Sequence, residues 1–286
     1  MSKLLALIKP HQVKLFFFLS ALLGYARWIF TGQPKWFIFG MLISGFVLTA
    51  LYEGKPGLLR QLKDAVRFKS SLPNYLSVIL PLLLANLATL LIAYILFGDL
   101  PALPMLRTEP LLIVPLAFLI LSGGPLAEEL FGLRGFALPR LLDKYTPLVS
   151  SLIVGFFFGA WHLIEFFNPG SSQYAIGLSY YPLFILSEIA NSILMTWVYL
   201  KSGRNLFLGG IFFHLTMNLF LVIFQTEYTF ASAGSFPPMN LHYFVIYALL
   251  ITAFSIFIAI KTKMYQPRPT PIPLSDDTAT VTRGRS

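Results

Sequence analysis

The stretch that decides the fold lies at residues 110–137 and reads PLLIVPLAFLILSGGPLAEELFGLRGFA. It is apolar without interruption from Leu111 to Leu121, and as a helix it is long enough to cross about 30 Å of hydrocarbon. Such a run lacks the alternation that is typical of membrane β-strands. Its second half nevertheless contains Glu128, Glu129 and Arg134, and ionisable residues are costly inside a membrane. The stretch therefore predicts a membrane-spanning helix that carries a functional site.

The composition of the whole chain agrees with a membrane protein. Of its 286 residues, 56% are hydrophobic and only 12% are charged, whereas a soluble domain carries about 25% charged residues. The mean hydropathy is +0.73, and this apolar content also excludes a disordered chain. The chain has no cysteine, which excludes disulfides, thiolate metal sites and a cysteine nucleophile.

Seven further apolar stretches accompany the first one. Together they predict spans at residues 13–31, 36–53, 75–97, 110–137, 147–167, 181–200, 206–225 and 241–260. We therefore expect an all-α, polytopic transmembrane helix bundle of about eight spans, formed by residues 1–265 as one domain. Residues 57–69 have apolar side chains on one face and basic ones on the other, which predicts an interfacial amphipathic helix. Residues 266–286 are predicted to be a disordered cytoplasmic tail.

The basic residues predict the orientation of the chain. Of the 21 Lys and Arg residues, only Arg27, Lys35 and Arg107 fall on one side of the predicted bundle. Because cytoplasmic loops are enriched in Lys and Arg, we predict a multi-pass protein of the cell membrane with both termini in the cytoplasm. This topology explains the net charge of +9, so the expected surroundings are the lipid bilayer and no nucleic-acid partner is predicted.

Ionisable residues inside the predicted spans are the candidate functional residues, since function is their usual reason to be there. They are Glu128, Glu129, Arg134, His162, Glu165, Glu188 and His214. At a helical rise of about 1.5 Å per residue, Glu128, His162 and His214 lie roughly 16, 22 and 14 Å from the cytoplasmic ends of their spans. Similar depth on three helices indicates one shared site. Asn218 lies four residues after His214 and therefore on the same helix face.

These side chains suit peptide hydrolysis. A glutamate can take a proton from water, an imidazole can hold that water, and Asn or His can donate a hydrogen bond to the oxyanion. Two histidines and one glutamate also satisfy a catalytic zinc ion with an open position. If a divalent metal is used, the predicted ligands are His162, His214 and Glu128. The residues alone leave a zinc site and a metal-independent site equally open.

Three motifs, in this order, resemble a known family. They are GGPLAEELFGLRGFALPRLL, FFFGAWHL and NSILMTWVYLKSGRNLFLGGIFFHLTMNL, within about residues 120–222. They resemble the CPBP family, the CAAX-protease and bacteriocin-processing intramembrane proteases, which is also called the Abi family. That family has a double-Glu motif followed by an Arg, then FxxxH, then HxxxN or HxxxB.

The resemblance implies a function and a role for each polar residue. The function is that of an intramembrane endopeptidase acting on membrane-associated peptides or proteins, prenylated CAAX-type or bacteriocin-related ones among them. The alternative is a non-enzymatic transporter, immunity or scaffold protein that uses the polar cluster for binding. The implied roles are water activation by Glu128, support by Glu129 and Arg134, holding of the water or metal by His162 and His214, and a share in the oxyanion site by Asn218.

The chain departs from the family pattern at one point. The family usually has three residues between the second Glu and the Arg, whereas four separate Glu129 from Arg134 here. In a regular helix, residues five apart point about 140° away from each other. We therefore expect a π-bulge or a helix break within residues 129–134 that returns Arg134 to the glutamates. A π-turn commonly absorbs one added residue, and Gly132 lowers the steric cost of irregular backbone.

Overall fold

The computed structural model describes residues 9–35, 37–98, 101–226 and 239–267, and these residues contain helices and no strand. The long helices are α1 (Gln12–Thr31), α2 (Gly40–Ala65), α3 (Leu72–Phe97), α4 (Ile113–Ser122), α5 (Pro147–Trp161), α6 (Tyr181–Lys201), α7 (Phe213–Gln225) and α8 (Leu241–Lys261). Short α-helices lie at Pro104–Arg107, Leu138–Leu142 and Ser172–Ile176. Short 3₁₀ segments lie at Lys9–His11, Pro110–Leu112, His162–Phe167 and Leu178–Tyr180. Segments of π-helix lie at Pro125–Glu129, Leu133–Ala137 and Phe207–Phe212.

Seven helical stretches in the described part of the chain are long and apolar enough to cross a membrane. They are Lys9–Thr31, Leu72–Phe97, Pro110–Leu142, Pro147–Phe167, Leu178–Lys201, Phe207–Gln225 and Leu241–Lys261. This confirms the predicted all-α, multi-pass transmembrane bundle. The predicted second span, residues 36–53, is not among the seven, and it forms the first half of α2.

α2 begins part-way along α1 and is kinked near its middle. The N–H of Phe37 donates to the carbonyl of Gly24, 3.2 Å away, so the chain turns back and α2 starts beside the middle of α1. At Gly54 the backbone leaves the helical conformation (φ 62°, ψ −160°), which kinks α2. Residues 40–53 extend roughly 20 Å at about 1.5 Å per residue, and the helix continues beyond the kink to Ala65.

The second part of α2 is the predicted amphipathic helix, which ends at Ala65 rather than at residue 69. Gln61 is buried and donates to the carbonyl of Gly135 at 2.9 Å, so this face of the helix packs on the bundle. Leu59 and Val66, by contrast, are 53% and 60% exposed. Exposed apolar side chains next to basic ones agree with a helix at the lipid surface.

Both ends of the described chain meet the connection between Leu138–Leu142 and α5. The Lys144 ammonium donates to the carbonyl of Pro10 at 3.2 Å, and the N–H of Leu148 donates to the carbonyl of Met264 at 2.9 Å. Pro10 and Met264 therefore lie at the same end of the bundle, which agrees with an even number of crossings between them. That this end is cytoplasmic stays a prediction, and the predicted tail lies outside the described residues from position 268 onward.

Small residues bring the site-bearing helices close together. A Cβ atom on Gly155 of α5 would lie 2.6 Å from Cα of Ile189 on α6, and one on Gly159 would lie 2.9 Å from Cα of Ile185. Such close backbone approach is typical of helix packing in membranes. It makes α5 and α6 a tightly packed pair, and His162 follows directly after α5.

Candidate active site

The helix that carries the two glutamates is not regular. A π-helical turn, Pro125–Glu129, is followed by a break at Gly132 (φ −98°, ψ −119°) and by a second π-helical turn, Leu133–Ala137. A Cβ atom on Gly132 would lie 2.1 Å from the carbonyl oxygen of Glu128, so only glycine fits this approach. The irregular backbone expected from the added residue is confirmed.

The break returns Arg134 to the glutamates, also as predicted. Nη1 of Arg134 lies 3.1 Å from Oε1 of Glu129, and the two side chains are 1% and 0% exposed. A buried charge needs such a partner, because an ion without one is strongly unfavourable in an apolar interior. The pair fixes Glu129 as an ionised hydrogen-bond acceptor at the centre of the bundle.

His214, at the start of α7, lies between the two glutamates. Its Nδ1 lies 3.1 Å from Oε1 of Glu129, and its Nε2 lies 3.9 Å from Oε2 of Glu128. Because the ionised Glu129 can only accept, Nδ1 of His214 must carry a proton and donate. In a neutral ring, Nε2 then carries the lone pair and faces Glu128.

Glu128 is held on its other side by a tryptophan. Nε1 of Trp161 donates to Oε1 of Glu128 at 3.2 Å, and the Glu128 side chain is buried. One carboxylate oxygen therefore faces an indole N–H and the other faces His214. An indole nitrogen can only donate, so this contact favours the ionised form of the carboxylate.

His162 joins the cluster through an aromatic ring. Its Nδ1 lies 2.9 Å from the carbonyl oxygen of Phe158, one turn earlier. The Phe158 ring meets the His162 ring edge-on at 4.6 Å between centroids and the His214 ring at 5.6 Å. Phe158 and His162 thus share a helix face, and one phenyl ring separates the two imidazoles.

Asn218 and Glu188 lie at the margin of the cluster. Asn218 is half-buried on α7, one turn after His214, and its side chain makes no hydrogen bond to any described residue. Glu188 on α6 is buried and close enough to interact electrostatically with Arg134 and Glu129. The structure therefore brings Glu128, Glu129, Arg134 and His214 together, with Glu128 3.9 Å from His214 and the other three in direct contact. Their catalytic roles, and those of His162 and Asn218, stay predictions.

The space in front of Glu128 and His214 is kept open by Gly124. A Cβ atom at this position would lie 3.1 Å from Nε2 of His214 and 3.2 Å from Oε2 of Glu128. Any side chain would therefore fill the region that both polar atoms face. A gap of 3.9 Å between an acceptor nitrogen and a carboxylate oxygen is the kind of separation that a water molecule bridges.

Comparison with known proteins agrees with the family that the three motifs resemble. Residues 110–220 match the type II CAAX prenyl endopeptidase Rce1-like family. These residues form a CPBP-family domain. The chain is also similar to CAAX prenyl protease 2 of Methanococcus maripaludis, with 27% identity over 232 residues, which cover 73% of this chain and 83% of the relative. The chain is thus a multi-pass membrane protein with a domain that matches a family of membrane proteases, as its motifs predicted.

The CPBP domain contains all six predicted site residues, but the structure does not assemble a metal centre from them. Among the residues that the structure describes, no group of three or more His, Asp or Glu side chains lies close enough to hold a metal ion. The proposed ligands His162, His214 and Glu128 therefore do not fit a zinc ion as they stand. The predicted metal stays a prediction, and no reaction step is derived from it.

Two residues of the site were not predicted from the sequence. Trp161 lies beside His162 in FFFGAWHL, and Gly124 lies in the GGP that precedes the glutamates. Aromatic residues make up 16% of the chain, so one more tryptophan in an apolar span carries no signal of its own. The signal for Gly124 was its position one helical turn before Glu128, on the same helix face.

Proposed function

We propose that the chain is an intramembrane endopeptidase that hydrolyses peptide bonds with a water molecule activated by Glu128. The observation that carries this proposal is the 3.9 Å gap between Oε2 of Glu128 and Nε2 of His214, left open by Gly124. A water molecule about 2.8 Å from both atoms fits such a gap. It would donate one hydrogen bond to the carboxylate and one to the imidazole, which leaves a lone pair directed away from both.

The proposed reaction begins when this lone pair attacks the carbonyl carbon of the scissile bond. Glu128 takes the proton of the water as the C–O bond forms, and it later delivers that proton to the leaving amine. The Trp161 N–H stabilises the carboxylate in the charged state that the first step requires. His162 and Asn218 are the proposed donors to the oxyanion.

Glu129 and Arg134 act through His214 in this proposal. Their ion pair holds Nδ1 of His214 in the donating state, so that Nε2 remains an acceptor for the water. This is a positioning role, since neither side chain faces the gap. It also explains why two adjacent glutamates are used, one for each side of the imidazole.

The proposed substrates are membrane-associated peptides or proteins with a prenylated CAAX-type C-terminus. The support is the match of residues 110–220 to the Rce1-like family and the name of the archaeal relative, CAAX prenyl protease 2. Bacteriocin-related peptides are the second substrate class to be assayed. We place the protein in the cell membrane with both termini in the cytoplasm, on the basis of its Lys and Arg distribution.

Cleavage by the purified full-length protein tests the proposal. The wild type should release the C-terminal tripeptide from a farnesylated CAAX peptide, and Glu128→Gln should lose at least about 100-fold in rate, since it removes the general base. Glu165→Gln is the matched control, because this carboxylate is also buried but hydrogen-bonds to Asn168 away from the cluster. It should retain cleavage.

The outcome also separates an enzyme from a non-enzymatic membrane protein. If the folded wild type cleaves none of the peptides, and Glu128→Gln keeps a transport or protection activity in cells, the cluster serves binding and the proposal is wrong.

A further inference from the structure

Trp161 extends from the proposed catalytic carboxylate to the first two helices of the chain. Its Nε1 donates to Oε1 of Glu128 at 3.2 Å, while the far edge of its indole ring lies against α1 and α2. The side chain is 2% exposed, and it is among the largest fully buried ones of the described chain. Its ring thus links Glu128 to helices that lie outside the CPBP domain.

The far edge of the ring occupies a notch made of two glycines. A Cβ atom on Gly24 of α1 would lie 2.1 Å from Cη2 and 2.4 Å from Cζ3 of Trp161. A Cβ atom on Gly40, the first residue of α2, would lie 3.0 Å from the same Cη2. Neither glycine has a positive φ, so close approach and not backbone conformation requires glycine here. Any side chain at Gly24 must displace the indole.

α1 also holds the backbone of Trp161. The hydroxyl of Tyr25 lies 2.9 Å from the carbonyl oxygen of Ala160 and 3.0 Å from that of Trp161, and it donates to this pair. These carbonyls lie in the last turn of α5, where that of Ala160 also accepts from the N–H of His162. α1 therefore fixes both the ring and the main chain of Trp161.

We propose that Trp161 is a positioning residue for Glu128, and that the glycine notch of α1 and α2 sets its position. This inference rests on the proposed function, because it assigns Trp161 to the same reaction. It makes α1 and α2, which lie outside residues 110–220, part of the active site. A shift of the indole at the notch moves the donor that orients the carboxylate and stabilises its charge.

Three variants test the proposal by activity. Trp161→Phe keeps a ring but loses the donor, and it should lower kcat roughly 10- to 100-fold with KM within about twofold, the effect of losing one hydrogen bond to a charged group. Gly24→Ala should lower kcat in the same way. In the Trp161→Phe background, Gly24→Ala should cost almost nothing further, because the shorter ring no longer reaches the added methyl group.

The matched control is Ser20→Ala, one turn before Gly24 on the same face of α1. Ser20 is fully buried and its hydroxyl has no hydrogen-bond partner among the described residues, so its removal should leave kcat unchanged. If Gly24→Ala does not fold, Gly40→Ala replaces it, since its contact with Trp161 is the milder one. Additive effects of the Gly24 and Trp161 changes on kcat would overturn the proposal.

A spectroscopic measurement separates failure of this inference from failure of the proposed function. In ¹⁵N-indole-labelled protein, the N–H resonance that is missing in Trp161→Phe belongs to Trp161. Glu128→Gln and Gly24→Ala should both shift it, whereas Glu165→Gln and Ser20→Ala should not. A protein that cleaves no peptide but shows these shifts contradicts the proposed function and keeps the Trp161–Glu128 contact. A resonance that Glu128→Gln leaves in place refutes the positioning role.

Discussion

Gly124→Ala should abolish hydrolysis without weakening the fold. The added methyl group would lie 3.1 Å from Nε2 of His214 and 3.2 Å from Oε2 of Glu128, in the space that the account assigns to the reacting water. The backbone at Gly124 is right-handed helical (φ −48°, ψ −58°), so alanine fits the local conformation. The substitution therefore fills the gap between Glu128 and His214 with a methyl group and leaves the backbone unchanged.

The structure sets the expected magnitudes. Displacing the water removes the general-base contribution, about 10²- to 10⁴-fold in kcat, which corresponds to roughly 3–5 kcal/mol in the activation free energy. Stability should change in the opposite direction. Replacing glycine by alanine at a compatible helical position raises the free energy of unfolding by about 0.4–1 kcal/mol, and the two tight contacts offset part of this gain.

The assay compares peptide cleavage and thermal unfolding of the same detergent-solubilised samples. Gly123→Ala is the matched control, because a Cβ atom there would meet nothing closer than 3.5 Å and lies away from the two polar atoms. It should retain cleavage. A Gly124→Ala protein that folds like the wild type should cleave at least about 10²-fold more slowly. A rate above about a tenth of the wild-type rate would refute the placement of the water.

Three further predictions follow from the packing of the site. Arg134→Gln should lower the free energy of unfolding by about 3–5 kcal/mol, because it leaves the buried Glu129 carboxylate without its partner. An unchanged thermal unfolding midpoint would contradict a stabilising ion pair. Gly45→Ala should lower the free energy of unfolding by about 1–3 kcal/mol, because its Cβ would lie 1.5 Å from the carbonyl oxygen of Phe131. A thermal unfolding midpoint equal to that of the wild type would show that the irregular segment does not pack closely against α2. Exhaustive chelation should leave cleavage intact if the water is held by Glu128 and His214 alone. Loss of cleavage that zinc restores would instead establish the metal-dependent alternative.

Much of the architecture follows from the sequence, because apolar length and basic loops depend on local composition. Helical rise alone placed Glu128 and His214 at similar depth, and they are neighbours in the structure. The π-turns could be predicted for a different reason. The chain has one residue more between Glu129 and Arg134 than the family pattern. In a regular helix these two side chains would point apart, so their ion pair requires an irregular helix, and the glycine within the interval permits one.

The sequence does not predict the rotation of each helix about its own axis or the contacts between distant segments. The predicted second span has an ordinary apolar composition, and only the pairing of Phe37 with Gly24 reveals that α2 starts halfway along α1. Likewise, nothing near Gly24 in the chain indicates that Trp161 lies against it. Depth along a helix can be computed from residue number, whereas the direction of a side chain around the bundle depends on all its neighbours.

The most direct test of the account is a high-resolution structure of the protein that resolves solvent in the gap between Glu128 and His214. We expect an ordered water molecule within about 2.6–3.2 Å of both Oε2 of Glu128 and Nε2 of His214. A gap closed by protein atoms would contradict it. A metal ion about 2.0–2.1 Å from the imidazole nitrogen would contradict it as well, because the carboxylate would then be a ligand rather than the base that the proposal requires.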